Sequence, residues 1–119
     1  MVAILGSPDA RRARDDHRVF ARVIEVQGEL GRIDDAIAFL RAEVIPQACE
    51  MQGFRGGQWL VDRASGRLVG MALWETEHDV EASAEAMRRF RETGAGLLGG
   101  EVVSVRVFEV IAEAKPSGI

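Results

Sequence analysis

Tyrosine and asparagine are absent from this 119-residue sequence. Chemistry that needs a phenolic hydroxyl or an asparagine carboxamide therefore has no residue to use. The single cysteine, Cys49, excludes an intrachain disulfide and fits a reducing compartment. No apolar run approaches the ~20 residues that span a bilayer. The run at residues 2–5 is broken by Gly6, Ser7 and Pro8, short of the roughly 7–15 apolar residues of a secretory signal. The expectation is a cytoplasmic protein with no membrane anchor. Positive charge is also in deficit. The net charge of −4 repels phosphate backbones and argues against nucleic acid as a partner. Histidine occurs only at His17 and His78, with no second histidine one helical turn away, so no metal site is expected.

What remains is an ordinary globular balance, with 47% hydrophobic and 29% charged residues. The length suits one domain. Residues 1–17 are charged and aperiodic and are expected to form a flexible arm. Residues 18–113 are expected to be the domain, and 114–119 a tail. Residues 19–27 are rich in β-branched side chains and read as a strand. Ile33, Ile37, Leu40 and Val44 then step at helical spacing, and Pro46 predicts a kink or restart before Gly53. Residues 58–62 and 68–74 flank a turn at 63–66 and predict a β-hairpin. Thr76 is placed to cap a second helix whose buried stripe is Val80, Ala84, Met87 and Phe90. Glu85 is spaced for a charge pair with Arg89. A glycine-rich loop at 94–100 precedes a last strand at 101–111.

This order predicts an α+β domain, β-α-β-β-α-β, with a four-stranded antiparallel sheet and both helices on one face: the ferredoxin-like arrangement. The first and last strands are then neighbours. Both contain the pattern Arg-Val-hydrophobic-Glu-Val, at 22–26 and 106–110. Pairing Arg22 with Glu109 places Arg106 opposite Glu25, and the repeat is expected to set that register. One face then carries Phe20, Ile24, Val26, Val105, Val107 and Ile111. The other carries Ala21, Val23, Phe108 and Val110. Both faces are apolar, whereas a sheet covered on one side normally shows water the other. A second copy is the simplest cover, so a homodimer through the open sheet face is expected.

Residues 94–99 match G-x-G-x-x-G, but a helix precedes and a strand follows, the reverse of a phosphate-binding turn. The glycines are expected to end the helix. Cys49 is expected to be an inert buried thiol. Arg88, Arg89 and Arg91 are expected on a solvated face near a helix C-terminus. Trp59 and Trp74 fall on the hairpin and Phe90 on the second helix. Such aromatics serve as core or interface, or else line an apolar cavity between sheet and helices, with Arg22 and Glu109 as its polar groups. The candidate pocket is accordingly Arg22, Trp59, Trp74, Met87, Phe90 and Glu109.

With these residues in place, the chain resembles the antibiotic biosynthesis monooxygenase superfamily of dimeric α/β barrels over roughly residues 18–113. The carriers are Pro46, the run Gly53-Phe54-Arg55-Gly56-Gly57, and Leu60-Val61-Asp62 with Ser65-Gly66. Leu73-Trp74-Glu75-Thr76 and the closing Phe108-Glu109-Val110 complete them. The resemblance implies a dimeric barrel and a cofactor-independent oxygenase acting on a flat, polycyclic aromatic molecule. The alternative is a non-catalytic dimeric binding or accessory protein of the same fold. Haem degraders of the superfamily use an asparagine on the first strand, and a tryptophan and a histidine on the second helix. The residues at those places here are Arg22, Ser83 and Glu92. Haem is therefore disfavoured, no cofactor is expected, and no catalytic residue carries over.

Overall fold

The computed structural model describes residues 18–116. The predicted arm, 1–17, and the end of the tail, 117–119, lie outside the described residues. Four strands, β1 (Phe20–Gln27), β2 (Phe54–Asp62), β3 (Arg67–Trp74) and β4 (Glu101–Glu109), form one antiparallel sheet in the order β2-β3-β1-β4. The first helical segment joins α1 (Ile33–Phe39) to α2 (Ile45–Cys49) through a π-helical turn at Leu40–Val44. The second helix, α3, runs Glu77–Leu97. This is the predicted ferredoxin-like arrangement, with β1 and β4 side by side. No helix among the described residues is long and apolar enough to cross a membrane.

Local chemistry explains the helix boundaries. Pro46 has no N–H to donate, and the turn before it widens: Ile45 N–H donates to Leu40 O, five residues back. The Oγ1 of Thr76 accepts from Asp79 N–H at 3.0 Å, and Glu77 and Asp79 put negative charge in the first turn of α3. That helix continues through Gly94 and Gly96. It stops at Gly99, whose φ of +66° suits a residue without Cβ, and Gly100 N–H donates back to Ala95 O at 2.9 Å. The expected loop at 94–100 is thus reduced to its last three residues. Gly94 and Gly96 keep ordinary helical φ, so neither terminates the helix. β2 likewise begins at Phe54, four residues before the expected 58.

The expected register is overturned. Arg22 lies opposite Val107, Glu109 opposite Phe20, Arg106 opposite Val23 and Glu25 opposite Ser104. The slip is two residues, with a bulge between Glu25 and Val26. Cross-strand charge pairs contribute only about 0.2–1 kcal/mol each, and the charges find other partners. Arg22 is buried beneath α3, while Glu25 takes Arg67 of β3 at 2.5 Å. A two-residue slip preserves the faces, so the division of Phe20, Ile24, Val105 and Val107 from Ala21, Val23 and Phe108 stands.

Phe20, Arg22, Ile24 and Val26 point toward the helices. Two apolar clusters form there. One joins Phe20, Ala48, Ala72, Trp74, Val80 and Met87; the other joins Val26, Ile33, Ala36, Ala95 and Leu98. The stripe of α3 is shifted from the expected one. Ser83 is buried and Ala84 exposed, because Ser83 faces the Arg22 guanidinium. The opposite sheet face carries Val23, Leu60, Val69, Met71, Leu73 and Phe108. These are partly buried, apart from Leu60 and Phe108, which are exposed. Cys49, expected buried, is exposed because Ala48 takes the inward position of α2.

Candidate functional site

The two apolar clusters do not meet everywhere. Between them is a cavity of about 80 Å³ that opens to the surface. Gly70 makes much of this room. A Cβ there would sit 2.7 Å from Trp59 Cδ1, so the indole lies close along the β3 backbone in a row with Gly70 and Ile24. The π-helical turn supplies the opposite wall, bringing Leu40 and Val44, with Phe39 just before them, against the space. Met87, Phe90, Arg91 and Gly94 close it from α3.

Of the six residues expected around a pocket, Arg22, Trp59, Met87 and Phe90 line this cavity. Trp74 and Glu109 do not. The Trp74 side chain is fully buried behind Arg22, packed edge-on against Phe54 with ring centroids 5.4 Å apart. Glu109 lies at the end of β4, where it meets Arg18 at 3.7 Å on the surface. The two-residue register shift is what carries it away from Arg22.

Arg22 is only 5% exposed. Its Nη2 donates to Val80 O at 2.5 Å and its Nη1 to Ser83 Oγ at 3.3 Å, and the guanidinium stands 5.8 Å over the Trp74 ring. Burial pushes its pKa below the ordinary arginine value, and the charge of Arg91 acts in the same direction. Arg91 is also lowered by burial; Glu92 opposes this and Arg88 adds to it. The expectation of a solvated basic cluster therefore holds for Arg88, which pairs with Glu85 and Glu92, and for Arg89, but fails for Arg91. Its spacing carried the signal: 83, 87 and 91 are successive turns of one buried stripe.

The polar side chains around the cavity are Arg22, Arg91 and the Trp59 indole, and every one is a hydrogen-bond donor. Among the described residues, no acidic, hydroxyl or imidazole group lines it. His78 sits exposed in the first turn of α3, away from the cavity. Among the described residues, no group of three or more His, Cys, Asp or Glu could hold a metal ion.

No family model matches the sequence. An uncharacterised Mycobacterium tuberculosis protein, Rv2557, is 34% identical over 102 residues, which cover 86% of this chain. The chain spans 45% of that relative's length. Solved structures of the same fold include a Streptomyces coelicolor monooxygenase, ActVA-Orf6, in complex with Nanaomycin D. Its TM-score is 0.68 at 18% identity, over 87% of this chain and 97% of that one. A candidate antibiotic biosynthesis monooxygenase from Chloroflexus aurantiacus superposes with TM-score 0.61 at 13% identity, over 82% and 97% of the two chains. A dimeric ferredoxin-like protein from an uncultured marine organism gives 0.60 at 9%, over 87% and 96%. In fold, the resemblance to the antibiotic biosynthesis monooxygenase superfamily holds.

Proposed function

We propose that the protein binds a flat, largely apolar small molecule in the cavity between sheet and helices, and oxygenates it without a cofactor. The observation that carries this reading is the cavity itself: an apolar space with a few polar groups, left open between sheet and helices. The Streptomyces coelicolor monooxygenase of the same fold holds Nanaomycin D, which supports a ligand of this kind. The chemistry balances without an added reductant. An activated methylene gives up two hydrogens, one oxygen atom of O₂ becomes the new carbonyl, and the other leaves as water. The chain would contribute position and a dry site.

A second reading, a non-catalytic binding protein of the same fold, is favoured by one observation. No side chain on the cavity wall can accept a proton at neutral pH. One experiment separates the two readings. The purified protein is titrated with polycyclic quinones, anthrones and haem while tryptophan fluorescence and oxygen uptake are recorded. Saturable quenching by an anthrone, with one O₂ consumed per product carbonyl, is the expected result. Quenching without oxygen uptake leaves the binding protein, and no quenching by any compound overturns both.

Either form would work as a homodimer in which the open sheet faces of two copies pack together. The apolar residues Val23, Leu60, Val69, Met71, Leu73 and Phe108 support this, as does the dimeric neighbour.

A further inference from the structure

We infer that the ligand of this cavity is a carboxylate: a planar apolar body whose single anionic group is held jointly by Arg22 and Arg91. The inference rests on reading the cavity as a ligand site and identifies the chemistry that fits it. Five arginine side chains among the described residues are drawn partly or wholly away from solvent: Arg18, Arg22, Arg55, Arg67 and Arg91, of which Arg55 pairs with Glu75 and Glu113. Arg18 meets Glu109 at 3.7 Å and Arg67 meets Glu25 at 2.5 Å. Arg22 and Arg91, the two on the cavity wall, form no ion pair among the described residues. Acidic residues are not scarce, since the chain holds 19 Asp and Glu against 15 Lys and Arg.

Two cations facing one apolar space, neither in an ion pair and only Arg91 offset by a nearby carboxylate, Glu92, are costly, because a low dielectric strengthens their repulsion and weakens their solvation. Burial lowers the pKa of both groups, and for Arg22 the charge of Arg91 adds to it. Arg22 is oriented by Ser83 Oγ and Val80 O, both neutral acceptors. These use two of the five N–H donors of a guanidinium, and the others have no acceptor among the described residues. A neutral carbonyl would accept a bond but leave the charge uncompensated. A carboxylate supplies the charge and two oxygens, enough to accept from both forks at once. The walls specify the rest of the molecule. Phe39, Trp59 and Phe90 offer aromatic surfaces, and no carboxylate or hydroxyl side chain among the described residues lines the cavity.

The test compares anthracene-2-carboxylate with its methyl ester, which has nearly the same shape but no charge. Affinities are measured by calorimetric titration against wild type, Arg91→Gln and Arg22→Gln, with circular dichroism to verify folding. Wild type should bind the acid at least about tenfold more tightly than the ester. The ratio should fall to near one in Arg91→Gln, which is half-buried and carries the test if the Arg22 variant does not fold. Equal binding of acid and ester by wild type would overturn the carboxylate inference while leaving the cavity as a ligand site. A preference that survives in Arg91→Gln would overturn the joint role of the two arginines. Binding of neither compound would overturn the cavity reading and this inference with it.

Discussion

Replacing Trp74 with alanine lowers the stability of the protein by about 3–5 kcal/mol, on the scale of large aromatic truncations in packed cores. Total stability for a domain of this size is on the order of 5–15 kcal/mol, so much of it is lost. Trp74 is 0% exposed and joins Phe20, Ala48, Ala72, Val80 and Met87 in one cluster. The truncation also removes the edge-on contact with Phe54 and the ring beneath the Arg22 guanidinium. Trp74→Phe should cost far less. The indole Nε1 is buried and has no hydrogen-bond partner among the described residues, so the phenyl ring gives up volume but also an unsatisfied donor. Urea unfolding of the three proteins at one fixed concentration measures both effects. Equal losses for Ala and Phe would mean that the N–H, not the ring volume, determines the contribution of this residue.

Met71→Asp separates the proposed dimer into folded monomers. Met71 is central on the open face, flanked by Val23 of β1 and Gln58 of β2, with no charge directly beside it on either strand. In a single chain it is partly exposed, so an aspartate there stays hydrated and costs the fold little. In a two-fold interface every residue occurs twice, and two carboxylates would be buried without partners. Each unpaired buried charge costs about 3–5 kcal/mol, enough to raise the dissociation constant more than ~10³-fold. Sedimentation at micromolar concentration should give wild type at twice the 13.0 kDa chain mass and the variant at the chain mass. A wild-type chain that sediments as a monomer contradicts the dimer directly.

Much of the fold was legible because it rests on local signals. The β-branched run at 20–27, the helical spacing from Ile33, the turn at 63–66 and the Thr76 cap each act over a few residues, and their order allows few topologies. The register of β1 with β4 was not legible in the same way. Its charge repeat is a weak local signal, and it lost to the burial of Arg22 against Ser83 and Val80, which are about 60 residues away in the chain. The end of α3 was misplaced because Gly94, Gly96 and Gly99 look alike in sequence, yet only Gly99 has the positive φ that stops a helix. The cavity was legible through its aromatics, Trp59 and Phe90, and through Arg22. Gly70 could not be recognised, because its role depends on which indole lies across it. Arg91 was read as surface charge, although its spacing from Ser83 and Met87 places it on the inner stripe.

Filling the cavity tests the central claim, that it is where the ligand sits. In Gly70→Val the new side chain enters the space beside Trp59 Cδ1 and Ile24 Cγ1, which a Cβ alone would approach to 2.7 and 3.1 Å. The indole must then move into the cavity, at a packing cost of about 1–3 kcal/mol that leaves the fold intact. Gly70→Ala makes the same change in milder form. The measurement is a fluorescence titration of wild type and both variants with one planar aromatic compound that wild type binds, after thermal unfolding has verified that each is folded. The account predicts at least about tenfold weaker binding in Gly70→Ala and none in Gly70→Val. Unchanged affinity in both folded variants would place the ligand elsewhere and contradict the account.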